Sequence, residues 1–141
     1  MEPHEDGRGL NPAAACCAVA IVCLVPVAAY QLGLVDSLPD PQGEVWDSDG
    51  ITGSETAHPL GIPDGLLGLG SYSATLGLLL AAPRSKAARR ILPWKLAGDG
   101  AAAAFNAGRQ VVKFRKLCSW CMGTALATAG MVYFGARSSR C

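Results

Sequence analysis

The sequence predicts an all-α fold: a polytopic membrane four-helix bundle with the N and C termini cytoplasmic. Three observations predict it. Half of the 141 residues are hydrophobic and only 16% are charged. The apolar residues come in long blocks rather than in the short-period alternation of a soluble globule. Glycine (17 residues) and alanine dominate while aromatics make up 6%. A net charge of +1 excludes a basic nucleic-acid binder, and the apolar fraction excludes a disordered tail. The length suits one domain, read here as residues 13–136, with tails at 1–12 and 137–141.

Four spans carry the prediction. The first, 13–35, has no charge and one amide, Gln31. About 20 helical residues cross a bilayer core, so this run suffices. The acidic residues before it (Glu2, Glu5, Asp6) are the wrong sign for a cleaved signal, so it is expected to be retained. The second span, 60–82, is apolar apart from Asp64 and some hydroxyls, and stops at Pro83. The third, 94–112, contains Asp99, Asn106 and Arg109. Each central charge costs about 2.5–3.5 kcal/mol on insertion, so this span is expected to be buried among the others. Lys95, one turn before Asp99, is its expected partner. The fourth span, 117–136, is uncharged.

Orientation follows from the basic residues. The 36–59 connection holds six carboxylates, Asp36, Asp40, Glu44, Asp47, Asp49 and Glu55, and no Lys or Arg. The connection from Pro83 to Pro93 holds Arg84, Lys86, Arg89 and Arg90. The positive-inside rule puts the first outside and the second inside. Lys113, Arg115 and Lys116 then fall outside, against the rule, immediately before a cysteine pair.

That pair, Cys118-Ser-Trp-Cys121, is the constellation with chemistry in it. At i, i+3 on a helix both sulfurs share a face. At a helix start the unpaired N–H groups and the positive dipole end favour a thiolate, the attacking species in disulfide exchange. The upstream basic residues fit as thiolate stabilisers or as contacts to acidic lipid head groups. No metal is expected, since only His4 and His58 could complete a four-ligand zinc site. Packing is the ordinary role for cysteines in an Ala/Gly-rich helix, and it is the reading for Cys16, Cys17 and Cys23. Cys141 has no assignable role. Tyr72 and Trp94 suit interface anchoring, and Trp120 suits either anchoring or stacking on a ring ligand. Asn106 and Arg109 fall near the outer mouth, where they line a ligand site or pack. His58 stands in the outer loop near that mouth, solvated or assisting proton transfer.

Two stretches resemble the vitamin K epoxide reductase family: 58–72, with its Gly-Ile-Pro motif entering the second span, and Phe114-Arg-Lys-Leu-Cys-Ser-Trp-Cys-Met122 entering the fourth. The resemblance implies a quinone-linked thiol oxidoreductase, most plausibly in a prokaryotic plasma membrane. It implies that Cys121 faces the quinone and that Cys118 exchanges disulfides with an incoming cysteine. It makes Asp64 the polar residue that reaches a quinone oxygen, expected as a protonated donor in a low-dielectric pocket. Many members carry a second cysteine pair in the first outer loop, but residues 36–59 have no cysteine. Cys118 is therefore expected to be served by a separate thioredoxin-like protein or by a substrate. The family's usual amide is Asp64 here, and a tyrosine four residues after the second cysteine is Ala125. A rival reading, which these departures favour, is a non-catalytic helical-bundle subunit with an assembly role.

Overall fold

The structure, a computed structural model, describes residues 3–54, 58 and 61–139. Those residues form helices and no strand: α1 (Pro3–Gln31), the short α2 (Ser48–Thr52), α3 (Asp64–Ala81), α4 (Lys86–Arg109) and α5 (Ser119–Ser139). A π-helical turn, Gln110–Phe114, follows α4 directly. The long helix α1 packs on α3 and α5, and α4 packs on the same two from the other side. Cys141, Arg140, Glu55, Pro59 and Leu60, each used in the sequence reading, lie outside the described residues.

The boundaries differ from the expected spans, beginning with α1, which starts at Pro3 inside the expected 1–12 tail. The first helix ends at Gln31, where Gly33 turns the chain with a φ of 79°. The third begins at Lys86, not at 94, because Ser85 caps it: its hydroxyl accepts from the Ala88 N–H (3.2 Å). The expected Pro83–Pro93 loop is thus largely the first two turns of α4, with Pro93 inside the helix. Arg89 also reaches back to cap α3, donating to the Ala82 carbonyl (3.2 Å). Gln110 replaces the helical end expected near Val112.

Small residues set the helix spacing. A Cβ at Gly130 would lie 2.9 Å from Cys16 Sγ, and one at Gly123 3.0 Å from Cys23 Sγ. Cys16 and Cys23 of α1 therefore seat on α5 one heptad apart, running antiparallel to it. Cys17 is buried and donates to the Tyr72 carbonyl (3.1 Å). The packing role expected for these three cysteines is what the geometry gives them. Tyr72 is no interface anchor: it is buried, with its hydroxyl 2.5 Å from Thr128 Oγ1.

The interior and exterior are solvated in an unusual sense. Ser48, Thr75, Asp99, Gln110, Thr124 and Thr128 are buried, while Val22, Leu67, Leu80, Phe105, Leu126 and Trp94 are exposed. Asp99 is 6% exposed and fully partnered, by Lys95 Nζ (2.7 Å), Ser71 (3.0 Å) and Thr75 (2.5 Å). The expected i, i+4 ion pair is present. Among the described residues one helical stretch, Pro12–Gln31, is long and apolar enough to cross a membrane on those grounds alone. Glycines and hydroxyl residues dilute α3 and α5, and Lys86, Arg89, Arg90, Lys95, Asp99 and Arg109 dilute α4.

The seam between α1 and α5 gives a test. Gly130→Ala should destabilise the protein by about 1–3 kcal/mol, the usual range for overpacking. Adding Cys16→Ala should restore much of the loss in a thermal melt, because it vacates the space the new methyl needs.

Candidate functional site

The site is organised by the start of α5. A helix opens with N–H groups that have no partner within it, and burial makes each one costly. Cys118 occupies the N-cap position, and its sulfur accepts from the Cys121 N–H (3.2 Å), as a serine or aspartate oxygen does in an ordinary cap. The Cys118 N–H donates to Gln110 Oε1 (2.9 Å), and the Ser119 N–H donates to Ser48 Oγ (3.1 Å). Both cysteines are free thiols.

The acidic loop between α1 and α3 is docked over this helix start. Leu117 N–H donates to the Val45 carbonyl (2.7 Å) and Asp47 N–H to the Leu117 carbonyl (2.9 Å), forming a bridge between Trp46 and Leu117. Asp40 accepts from Ser48 Oγ (2.5 Å), Ser48 N–H (2.9 Å) and Ser119 Oγ (2.7 Å). Partial burial would raise the Asp40 carboxyl, but the hydrogen bonds from Ser48 and Ser119 outweigh it and hold the group below its usual range. Under this clamp Cys118 is 0% exposed. Lys113, Arg115 and Lys116 stand exposed at the same end.

Beside the pair lies a cavity of about 420 Å³, mostly apolar, within the usual size for a small-molecule site. Cys121 lines it, together with Asp64, Asn106, Arg109, Gln110 and Asp99. Ala125, where the resemblance had led one to look for a tyrosine, also lines it and leaves room. Cys118 is absent from the lining. So is Trp120, whose indole N–H donates to the Pro39 carbonyl (3.0 Å) in the docked loop. The expected stacking of Trp120 on a ring ligand is therefore not supported: the side chain is used to hold the loop.

Asp64 sits in the first turn of α3, where the helix dipole favours a negative group. Gln31 fixes it. The Gln31 amide donates to Asp64 Oδ1 (2.8 Å) and to the Thr52 carbonyl (2.8 Å), while its oxygen accepts from the Gly65 N–H (3.0 Å). Gly65 is required there, since a Cβ would come within 2.6 Å of Gln31 Oε1. Arg109 lies 3.8 Å from Asp64 Oδ2 and donates to Asn106 Oδ1 (2.6 Å). The carboxyl thus accepts from Gln31 through Oδ1 and keeps Oδ2 on the side of Arg109. His58 is engaged with the Ser54 carbonyl (2.9 Å).

Sequence reasoning brought Asp64, Asn106 and Cys121 to one cavity. It missed Gln31, Asp40, Ser48 and Gln110. An amide in an otherwise apolar run is a signal that could have found Gln31. Asp40 and Ser48 carry no such mark. Gln110 is 0% exposed, and its Nε2 has no hydrogen-bond partner, a state costing about 1–3 kcal/mol. Among the described residues no group of three or more His, Cys, Asp or Glu is placed to hold a metal.

The sequence model described as the vitamin K epoxide reductase family matches residues 11–135, most of the chain. No curated protein and no solved structure matches it.

The clamp is testable through Cys118. Asp40→Ala should speed labelling of Cys118 by about tenfold, a loss of roughly 1.4 kcal/mol and within the range for hydrogen bonds to a charged group. The Asp40 carboxyl is held lower in the folded protein than in the unfolded chain. Its contribution is therefore complete above about pH 4 and is lost as pH falls through the lowered value. With a dipyridyl disulfide, which reacts in acid, labelling of the unmodified protein should stay slow from pH 7 to about 4 and rise below it. In Asp40→Ala that acid rise should vanish.

Proposed function

The chain belongs to the vitamin K epoxide reductase family, and from that premise we propose that it is a multi-pass membrane thiol–disulfide oxidoreductase coupling Cys118 and Cys121 to a quinone. One observation carries this reading: the two sulfurs of one pair serve different compartments of the site. Cys121 lines the cavity, while Cys118 lies outside the lining and beneath the outer loop.

The cavity suits a quinone ring. It is apolar along Leu24, Val27, Leu67 and Phe105, with Asp64, Asn106, Arg109 and Gln110 also in its lining. A quinone bound there supplies a two-electron, two-proton acceptor. In the oxidising direction the Cys118–Cys121 dithiol gives up two electrons and two protons and closes an S–S bond. A partner thiolate then attacks Cys118 Sγ, and the Cys121 sulfur leaves as the thiolate. The partner's second thiol attacks the mixed disulfide and releases Cys118. The sum converts a partner dithiol and a quinone to a partner disulfide and a quinol. Since residues 36–59 contain no cysteine, the partner is a separate thioredoxin-like protein or a substrate outside the membrane. It reaches Cys118 once the segment from Pro39 to Ser48 lifts.

A bilayer around the helices supports the same reading. Exposed valine, leucine and phenylalanine side chains on α1, α3, α4 and α5 face outward, while charges and hydroxyls pair inside. That is the distribution lipid requires, because unpaired polar groups are expensive in hydrocarbon. In this arrangement the termini and the Arg84–Arg90 end are cytoplasmic, in a prokaryotic plasma membrane, and the CxxC opens to the far side. Lys113, Arg115 and Lys116 are then placed to meet acidic head groups.

The decisive measurement is quinone-dependent thiol oxidation by the purified protein. Cys118→Ala and Cys121→Ala should each reduce it to background, and Cys121→Ala should trap a mixed disulfide between Cys118 and the partner. Full turnover in both variants would leave the non-catalytic helical bundle as the better account.

A further inference from the structure

We propose that Gln110 is the ligand-binding donor of the cavity and the residue that ties its occupant to the position of Cys118; this rests on the quinone reading above. Gln110 opens the π-helical turn, and such turns recur at functional sites because the extra residue re-aims a side chain. Its side chain is 0% exposed and lines the same cavity as Cys121. Its two ends are not equivalent. Because the Cys118 N–H can only donate, the atom 2.9 Å away must be the amide oxygen. The other end is therefore the NH2 group, which is buried and has no partner.

A buried donor without an acceptor is rare, and the residue that carries it belongs to the cavity's lining. What it complements is a ligand oxygen. The carboxylates of the lining, Asp64 and Asp99, are countered by Arg109 and by Lys95, so the cavity carries no uncompensated charge and the acceptor that fits it is a neutral carbonyl. Among the other polar groups at this end, Asp64 Oδ1 accepts from Gln31 and Asn106 Oδ1 accepts from Arg109. A ring carbonyl hydrogen-bonded to Gln110 Nε2 polarises the amide, and its oxygen then holds the Cys118 N–H more firmly. Occupancy of the ring site is in this way felt at the capping sulfur, through one side chain.

The probe is menadione, a short naphthoquinone, added to the purified full-length protein in detergent. Binding is read by tryptophan quenching, and Cys118 accessibility by its labelling rate. Gln110→Glu keeps an acceptor for the Cys118 N–H but loses the donor; Gln110→Met loses both. Each should raise the Kd for menadione about tenfold, the effect of one lost hydrogen bond. In Cys121→Ala, where no disulfide can close, menadione should slow Cys118 labelling, and in Cys121→Ala/Gln110→Met that protection should disappear even at saturating menadione. The bound quinone, carrying 13C at its carbonyls, should show one stretch shifted below its frequency in detergent. Two unshifted stretches in the unmodified protein would overturn the assignment whether or not either variant folds. Unchanged Kd and protection in both variants, with turnover still requiring both cysteines, would overturn the Gln110 assignment and leave the quinone reading standing. If the unmodified protein binds no menadione and oxidises no thiol with it, the quinone reading itself fails.

Discussion

The constraint on which this structure turns is the set of N–H groups at the start of α5. Buried in the molecule, they must find acceptors, and each acceptor comes from a different part of the chain. Cys118 supplies its own sulfur to Cys121, Gln110 reaches across from the end of α4, and Ser48 arrives from the outer loop. Satisfying these donors therefore fixes the pair, the π turn and the loop relative to one another. Cys118-Ser-Trp-Cys121 is at once a helix cap and a dithiol. The spacing that puts both sulfurs on one face is also the spacing at which an N-cap side chain meets the N3 backbone.

A second constraint acts from outside. The long helices bury hydroxyls, an ion pair and an amide, and expose leucine, valine and phenylalanine. In water this would waste apolar burial; in lipid it is the economical arrangement. The glycines make it feasible. With no side chain at Gly65, Gly123 and Gly130, helix backbones approach closely enough for packing to replace the hydrophobic drive that lipid does not supply. Glycines and hydroxyls in α3 and α5, and charged residues in α4, keep the hydropathy of these helices modest, so their apolar character shows in the assembled surface more than in any one helix.

Much of this was legible in the sequence because it is local. The helical blocks, the CxxC opening the last helix, Asp64 opening α3 and the Lys95–Asp99 pair all depend on spacings of four residues or fewer. The start of α4 was misread because Pro93 outweighed Ser85, although a cap specifies a helix start and a proline only perturbs one. Trp120 was misread because its orientation depends on where Pro39 lies, 81 residues earlier in the chain. The loop that supplies Pro39, Asp40 and Ser48 has no hydrophobic period, so nothing in its sequence announced that it folds onto the cysteines. Gln110 was invisible for a related reason. In a regular helix its register would be that of its neighbours, and only the π turn aims it between Cys118 and the cavity.

These long-range contacts explain how two sulfurs three residues apart can have separate duties. A pair exposed on both sides would exchange with any thiol in reach and would not hold its electrons for one acceptor. Here Cys121 borders a cavity roofed by helices, while access to Cys118 is governed by a loop held through one carboxylate and two serines. The clamp is polar and small, so it is weak enough to open against a competing partner yet specific enough to close again. The absence of cysteines between 36 and 59 fits that role. A loop that carried its own relay pair would have to present those thiols to Cys118, whereas this one presents a cap, and a cap must leave before a partner can enter.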